Sequence, residues 1–179
     1  MIIIRNKRSA LSALMKEYPG AAVIDVTSNA NGEWKQLSPF FPHGDIPVPY
    51  SDGMTSMSVE GVWQGLKIFD GEDIDFSCFG NATMKGLKRT ERTHGRTLGH
   101  RKGVGGRLLK YIEARKLIYL PVYYWMLEHK CAALVQQISE LSENRTIILL
   151  DYNTNCDIDN PDSPLSHASL IRRYIEERR

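Results

Sequence analysis

Four prolines, Pro39, Pro42, Pro47 and Pro49, fall within residues 37–53, and they constrain the fold more than any other feature of this 179-residue chain. Proline has no backbone N–H, so neither a helix interior nor a central strand runs through such a stretch. Yet Phe40, Phe41, Ile46, Val48 and Tyr50 are interleaved with the prolines and call for burial. The spacing predicts an ordered, extended loop, and long loops in compact domains are often functional.

Regular patterns resume on either side. Residues 2–4 read as a short strand or an extended arm, and 9–18 as a helix with Leu11, Leu14 and Met15 on one face. Pro19-Gly20 ends that helix, and 21–26 follows as a strand. Residues 58–69 read as a helix opened by Ser58, with Val59, Val62, Trp63, Leu66 and Phe69 on its apolar face. A helix is expected over 81–90, a glycine-rich loop over 93–107 and a helix over 108–116. A long helical pattern covers 117–143, a buried strand 145–152 and a final helix begins at 166 or 167. Hydrophobic residues at 42% and charged residues at 25% suit a globular chain and argue against disorder. The longest nearly apolar run, 117–127, is about half of a membrane span. Three cysteines without a C-x-x-C pair argue against disulfides or zinc and fit a reducing, cytoplasmic setting.

Charge is unevenly placed. Residues 85–116 carry eleven Lys/Arg against two Glu, a local net of +9, which leaves the rest of the chain at −7. A dense basic stretch attracts anions, so phosphate or nucleic acid is the expected partner class. Within it, 93–103 holds Arg96, His100, Arg101 and Lys102 among glycines, a composition that lets backbone and cations approach phosphate oxygens. It matches neither a P-loop nor a dinucleotide fingerprint.

Two further groups carry polar chemistry. Glu60, Gln64 and Lys67 stand on successive turns of the predicted 58–69 helix, a spacing that serves ligand recognition or simple i, i+4 pairing on an exposed face. Asp151 near the end of the predicted late strand, and Asn153, Asn155 and Asp157 beyond it, stand where carboxylates and amides serve catalysis or ordinary turn chemistry. No spacing points to a metal, and no G-x-S-x-G points to a serine nucleophile. No cofactor or metal is expected.

Leu37-Ser38-Pro39-Phe40-Phe41-Pro42, then Ser58-Val59-Glu60 and Trp63-Gln64-Gly65-Leu66-Lys67, resembles the NADAR (YbiA-like) superfamily, whose helix begins S-E-H and continues Q-A-x-K-F. The similarity covers roughly 37–174. The phrases around 56–69, 84–89 and 164–168 look closer still to an uncharacterised bacterial family that brings no activity with it. The superfamily resemblance implies a YbiA-like, helix-dominated α+β single domain spanning 1–179, with 1–36 an N-terminal extension and 37–179 the core. It also implies an N-glycosidase-type hydrolase acting on ADP-ribosylated guanine or a ribosylamino intermediate. Carried across, Glu60 matches the helix-borne acid, Gln64 the Q and Lys67 the K, while Asp151 and Asn155 match loosely. The histidine of S-E-H is Gly61 here, and the aromatic ending of the late loop is absent.

The expected roles follow. Glu60 stabilises the ribosyl cation, with Asp151 or Asp157 assisting. Gln64 and Lys67 orient the ribose, and Trp63 stacks on a base or joins the core. Arg96, His100, Arg101 and Lys102 hold phosphate, and Asn153 and Asn155 contact substrate. The ligand is a small nucleotide or a base presented by nucleic acid, and no membrane is involved. Two rivals stand beside this: a binding module of the same fold without hydrolysis, and an interaction protein docking through the proline-aromatic loop.

Overall fold

The computed structural model describes residues 1–179. The chain is α+β, with eight α-helices and eight short strands gathered in small sheets. It forms two compact units, Met1–Ser38 with Leu127–Arg179, and Pro39–Met126.

The first unit is organised by β8, Ile147–Asp151, all five of whose residues are buried. It lies between β1 (Ile2–Asn6) and β2 (Ala22–Asp25), parallel to both. An unbroken Ile-Ile-Leu-Leu run suits a strand covered on both faces, as parallel strands are. Residues 1–36 thus supply both outer strands of this sheet. Between them α1 (Leu11–Glu17) packs Leu14 with Ala21, Ile148 and Leu150. Two further helices, α7 (Ala132–Asn144) and α8 (His167–Glu176), contact β8.

The polar end of β8 is locked to the start of α8. One Asp151 oxygen accepts from the Ser166 hydroxyl at 2.8 Å, the His167 Nδ1 at 3.0 Å and the Ala168 N–H at 3.3 Å. The other accepts from the Tyr152 N–H at 2.7 Å. His167 Nε2 donates to the Val26 carbonyl at 2.7 Å, so both ring nitrogens face acceptors. Burial would raise the Asp151 carboxyl, but the His167 charge and these donors bring it down to about 2. Burial would likewise lower His167, but the Asp151 carboxylate and the Val26 carbonyl outweigh it and hold the ring above its ordinary value.

The second unit is antiparallel. A hairpin joins β3 (Ile46–Pro47) to β4 (Thr55–Ser56), and a second sheet has the order β5 (Lys67–Phe69), β6 (Thr97–Arg101), β7 (Leu108–Leu109). Before β5 comes α2, Val59–Gly65. Outside β3 the proline stretch is a series of turns and bends, with Asp45 and Tyr50 at positive φ, and not the extended loop expected; Ile46 and Val48 are buried as anticipated, whereas Tyr50 is exposed.

Several elements differ from the sequence reading. The helix expected over 58–69 ends at Gly65, and Lys67–Phe69 turns into β5 because the backbone there pairs with β6. The glycine-rich stretch contains β6: Gly99 lies so close to β7 that a Cβ would meet the Leu109 carbonyl oxygen at 2.2 Å, which requires glycine within the strand. Residues 81–90 are not helical, because the Asn81 side chain accepts from the Thr83 N–H and closes a local turn. A helix over Phe76–Phe79 (α3) was not legible; the Asp75 carboxylate caps it by accepting from the Ser77 N–H. Residues 108–116 divide into β7 and α5 (Tyr111–Ala114), and the long helical pattern divides at Lys130–Cys131 into α6 (Leu120–His129) and α7.

The Asp151–His167 pair gives a pH signature. A raised His167 stabilises fully below about pH 6.5 and loses that contribution as pH climbs through its folded value, whereas a lowered Asp151 loses its contribution only as pH falls from about 4 towards 2. Denaturation series in urea should show a decline on the alkaline side in the wild type that His167→Gln lacks. That variant should also cost about 3–5 kcal/mol at pH 6, as breaking a buried pair does. Parallel pH profiles for the two proteins would contradict the assignment.

Candidate functional site

The candidate site is built on α2. Ser58 opens this helix, its hydroxyl accepting from the Gly61 N–H at 3.0 Å. The side was open to reading as a solvated face, but six of its seven residues, Glu60 and Gln64 among them, are buried. A buried carboxylate and amide require partners. Gln64 Nε2 donates to Glu60 Oε1 at 2.8 Å, and Gln64 Oε1 accepts from the Arg89 N–H at 3.0 Å. One side chain therefore holds the carboxylate and pins the neighbouring segment at once.

Arg89 completes the joint. Its guanidinium donates to the Gln64 and Lys67 carbonyls at 3.1 and 2.6 Å and to the Glu72 carboxylate at 3.0 Å. Lys67 Nζ donates back to the Arg89 carbonyl at 3.0 Å. Both cations also lie 4.9 Å from the centre of the Phe69 ring. Burial lowers the Lys67 ammonium from its ordinary value, against the pull of the Glu91 and Glu60 carboxylates. Sequence reasoning passed over Arg89; its only signal was its place at the end of the 84–89 phrase.

Trp63 is half-buried and stacks on His100, with ring centres 3.6 Å apart. The edges of Tyr111 and Tyr119 meet it at 6.0 and 5.4 Å. Tyr119 ends a π-helical turn, Arg115–Tyr119, a distortion that recurs at functional sites. Arg115, buried, donates to the Tyr111 hydroxyl at 2.9 Å. Glu60, Trp63, Gln64, Lys67 and His100 therefore all belong to the second unit.

The anticipated phosphate cluster is largely used by the fold. Arg101 grips Asp73 through two nitrogens, at 3.0 and 2.7 Å. Lys102 lies over the Tyr50 ring at 4.6 Å. Gly103 and Gly106 abut the Tyr50 and Lys102 carbonyls, where a Cβ would come to 2.2 and 1.9 Å, so these glycines serve close packing. His100 is buried, and burial with the nearby Lys67 ammonium pushes it down to about 3, so its neutral ring attracts no anion by charge. Arg96 is the exposed member.

The late-loop residues belong to the first unit. Asp151, anticipated as an assisting acid, is instead the anchor of α8, its carboxylate engaged by four donors. Asn153 and Asn155 accept from the N–H groups of Asn155 and Asp157 at 2.8 and 2.9 Å, and Asp157 from Asp159 at 2.9 Å, which is the turn chemistry of Asx residues. No three His, Cys, Asp or Glu side chains come together in a set fit to hold a metal ion, and no helix is long and apolar enough to cross a membrane.

Residues 6–171 match the model of a family of unknown function, DUF6939. The chain belongs to DUF6939. No curated protein and no solved structure matches it. The span matched to DUF6939 takes in α2, Arg89, His100 and the Asp151 anchor, hence parts of both units.

Gly61, expected to align with the histidine of S-E-H, is closely packed. A Cβ there would lie 2.7 Å from the Cys78 carbonyl oxygen and 2.5 Å from the Ser56 Oγ, which is itself bonded to the Ser58 and Phe79 carbonyls. An unhindered helical Gly→Ala change stabilises by about 1 kcal/mol. Gly61→Ala should instead destabilise by about 1–3 kcal/mol through overpacking. Urea denaturation reads the sign directly, and a more stable variant would contradict this packing.

Proposed function

We propose that the second unit hydrolyses an N-glycosidic bond in a ribosylated, phosphate-bearing nucleotide, such as ADP-ribosyl-guanine or a ribosylamino intermediate. The observation that carries this reading is the Glu60 carboxylate, 7% exposed and oriented by the Gln64 amide. As the C–N bond lengthens, positive charge grows on the ribose C1′, and a fixed, desolvated carboxylate stabilises it. Water adds its oxygen to C1′, the base nitrogen leaves with the bonding electrons, and that nitrogen takes up a proton. The products are a free base and a ribosyl hydroxyl, so no redox partner is needed.

The resemblance to NADAR proteins supports the same assignment of Glu60, Gln64 and Lys67. Gln64 acts as a positioning residue, since both ends of its amide are engaged. Lys67 donates one hydrogen bond within the protein, and an ammonium has three donors, leaving two for ribose or phosphate oxygens. Arg96 and the net charge of 85–116 draw the anionic substrate in. A target base in nucleic acid would have to be unstacked first. Gly61 favours a second reading, a nucleotide-binding module without turnover, because its packing leaves no room for the histidine of S-E-H.

Purified protein incubated with ADP-ribosylated guanosine, ADP-ribosylated DNA and ribosylamino-pyrimidine phosphates should release ADP-ribose from the first two or ribose 5-phosphate from the third, followed by mass spectrometry. Glu60→Gln should slow release by about 100-fold or more. Equal release by the variant would contradict the role of Glu60, and binding without release would select the binding module.

A further inference from the structure

Buried polar groups in folded proteins almost always have hydrogen-bond partners. His100 does not: its ring is 1% exposed, and neither Nδ1 nor Nε2 meets any donor or acceptor. An apolar ring would fill the same space without the desolvation cost. The histidine sits in the central strand β6, directly across from Lys67 of β5, and its face is covered by Trp63. It is therefore enclosed by the same side chains that line the candidate site.

Its chemistry narrows what it can bind. Burial and Lys67 keep the ring neutral near pH 7. A neutral imidazole offers one N–H donor and one nitrogen acceptor. That suits an uncharged group carrying both functions, and not a phosphate. The flat indole beside it suits the face of a sugar or a base.

We propose that His100 is the buried hydrogen-bonding partner of the substrate in the second unit, engaging a ribose hydroxyl or a base edge as Trp63 moves aside. This rests on the reading of that unit as a ribosyl-nucleotide site but requires no bond cleavage. In this reading the half-buried Trp63, stacked on the ring face, is the side chain that shifts to admit the ligand to the ring edge.

The test uses the full chain with 15N-labelled histidine, titrated with ADP-ribose, ribose 5-phosphate and guanine, and followed by NMR and calorimetry. At least one probe should bind and move the His100 ring nitrogen resonances. A response to ribose 5-phosphate identifies a hydroxyl partner, and a response to guanine identifies a base edge. His100→Phe should weaken the responding probe about 10-fold or more, while raising the melting temperature because the unpaired nitrogens are gone. Should that variant not fold, the wild-type resonances decide alone. Failure of all three probes to bind overturns the proposal. So does binding that leaves the His100 resonances unmoved, the result expected if a trapped water serves the ring. Moved resonances without release of ADP-ribose or ribose 5-phosphate would instead remove the hydrolytic reading and keep this one.

Discussion

The Gln64 side chain is the joint on which the candidate site depends. Its amide nitrogen holds the Glu60 carboxylate, and its oxygen holds the Arg89 backbone. Arg89 then returns to the Gln64 and Lys67 carbonyls and reaches out to Glu72. A buried carboxylate is tolerable only when so supported, and hydrogen-bond networks of this kind rigidify the geometry around it. The end of α2, the start of β5 and the 87–90 segment are thereby tied around one acid. The Arg89 Nε is the one buried atom of that guanidinium without a hydrogen-bond partner, and His100 lacks a partner at both ring nitrogens.

The first unit uses the same physics for a different end. Asp151 and His167 are as buried as Glu60, yet every acceptor and donor between them is matched within the strand–helix junction. Closure of that kind argues for anchoring α8 to β8. The contrast separates two aspartate or glutamate positions that composition alone treats as equals.

The sequence made some of this legible and hid the rest for physical reasons. Apolar runs announced β8 and the core face of α2, since burial on both faces leaves an unbroken pattern. The prolines announced an irregular stretch before β4, but its turns and bends were not legible from them. Strand β6 was masked by its own glycines, because Gly99 is set by the approach of the Leu109 carbonyl, a tertiary contact with no local signature. Helix α2 was read four residues too long because Lys67–Phe69 continues the apolar period while pairing as a strand. Glu60, Gln64 and Lys67 stood out by spacing, but the partner that fixes them, Arg89, lies 25 residues beyond Gln64. The basic stretch was visible as charge, whereas the consumption of Arg101 by Asp73 and of Lys102 by Tyr50 depends on tertiary placement.

A crystal structure of Glu60→Gln with ADP-ribosylated guanosine tests most directly whether Glu60 faces the reacting sugar carbon. The ribose C1′ should lie within about 4 Å of the residue 60 side chain, a near-attack separation, with the sugar or base against Trp63 and His100. A ligand bound away from α2, or held with its phosphates rather than its ribose beside residue 60, would contradict it.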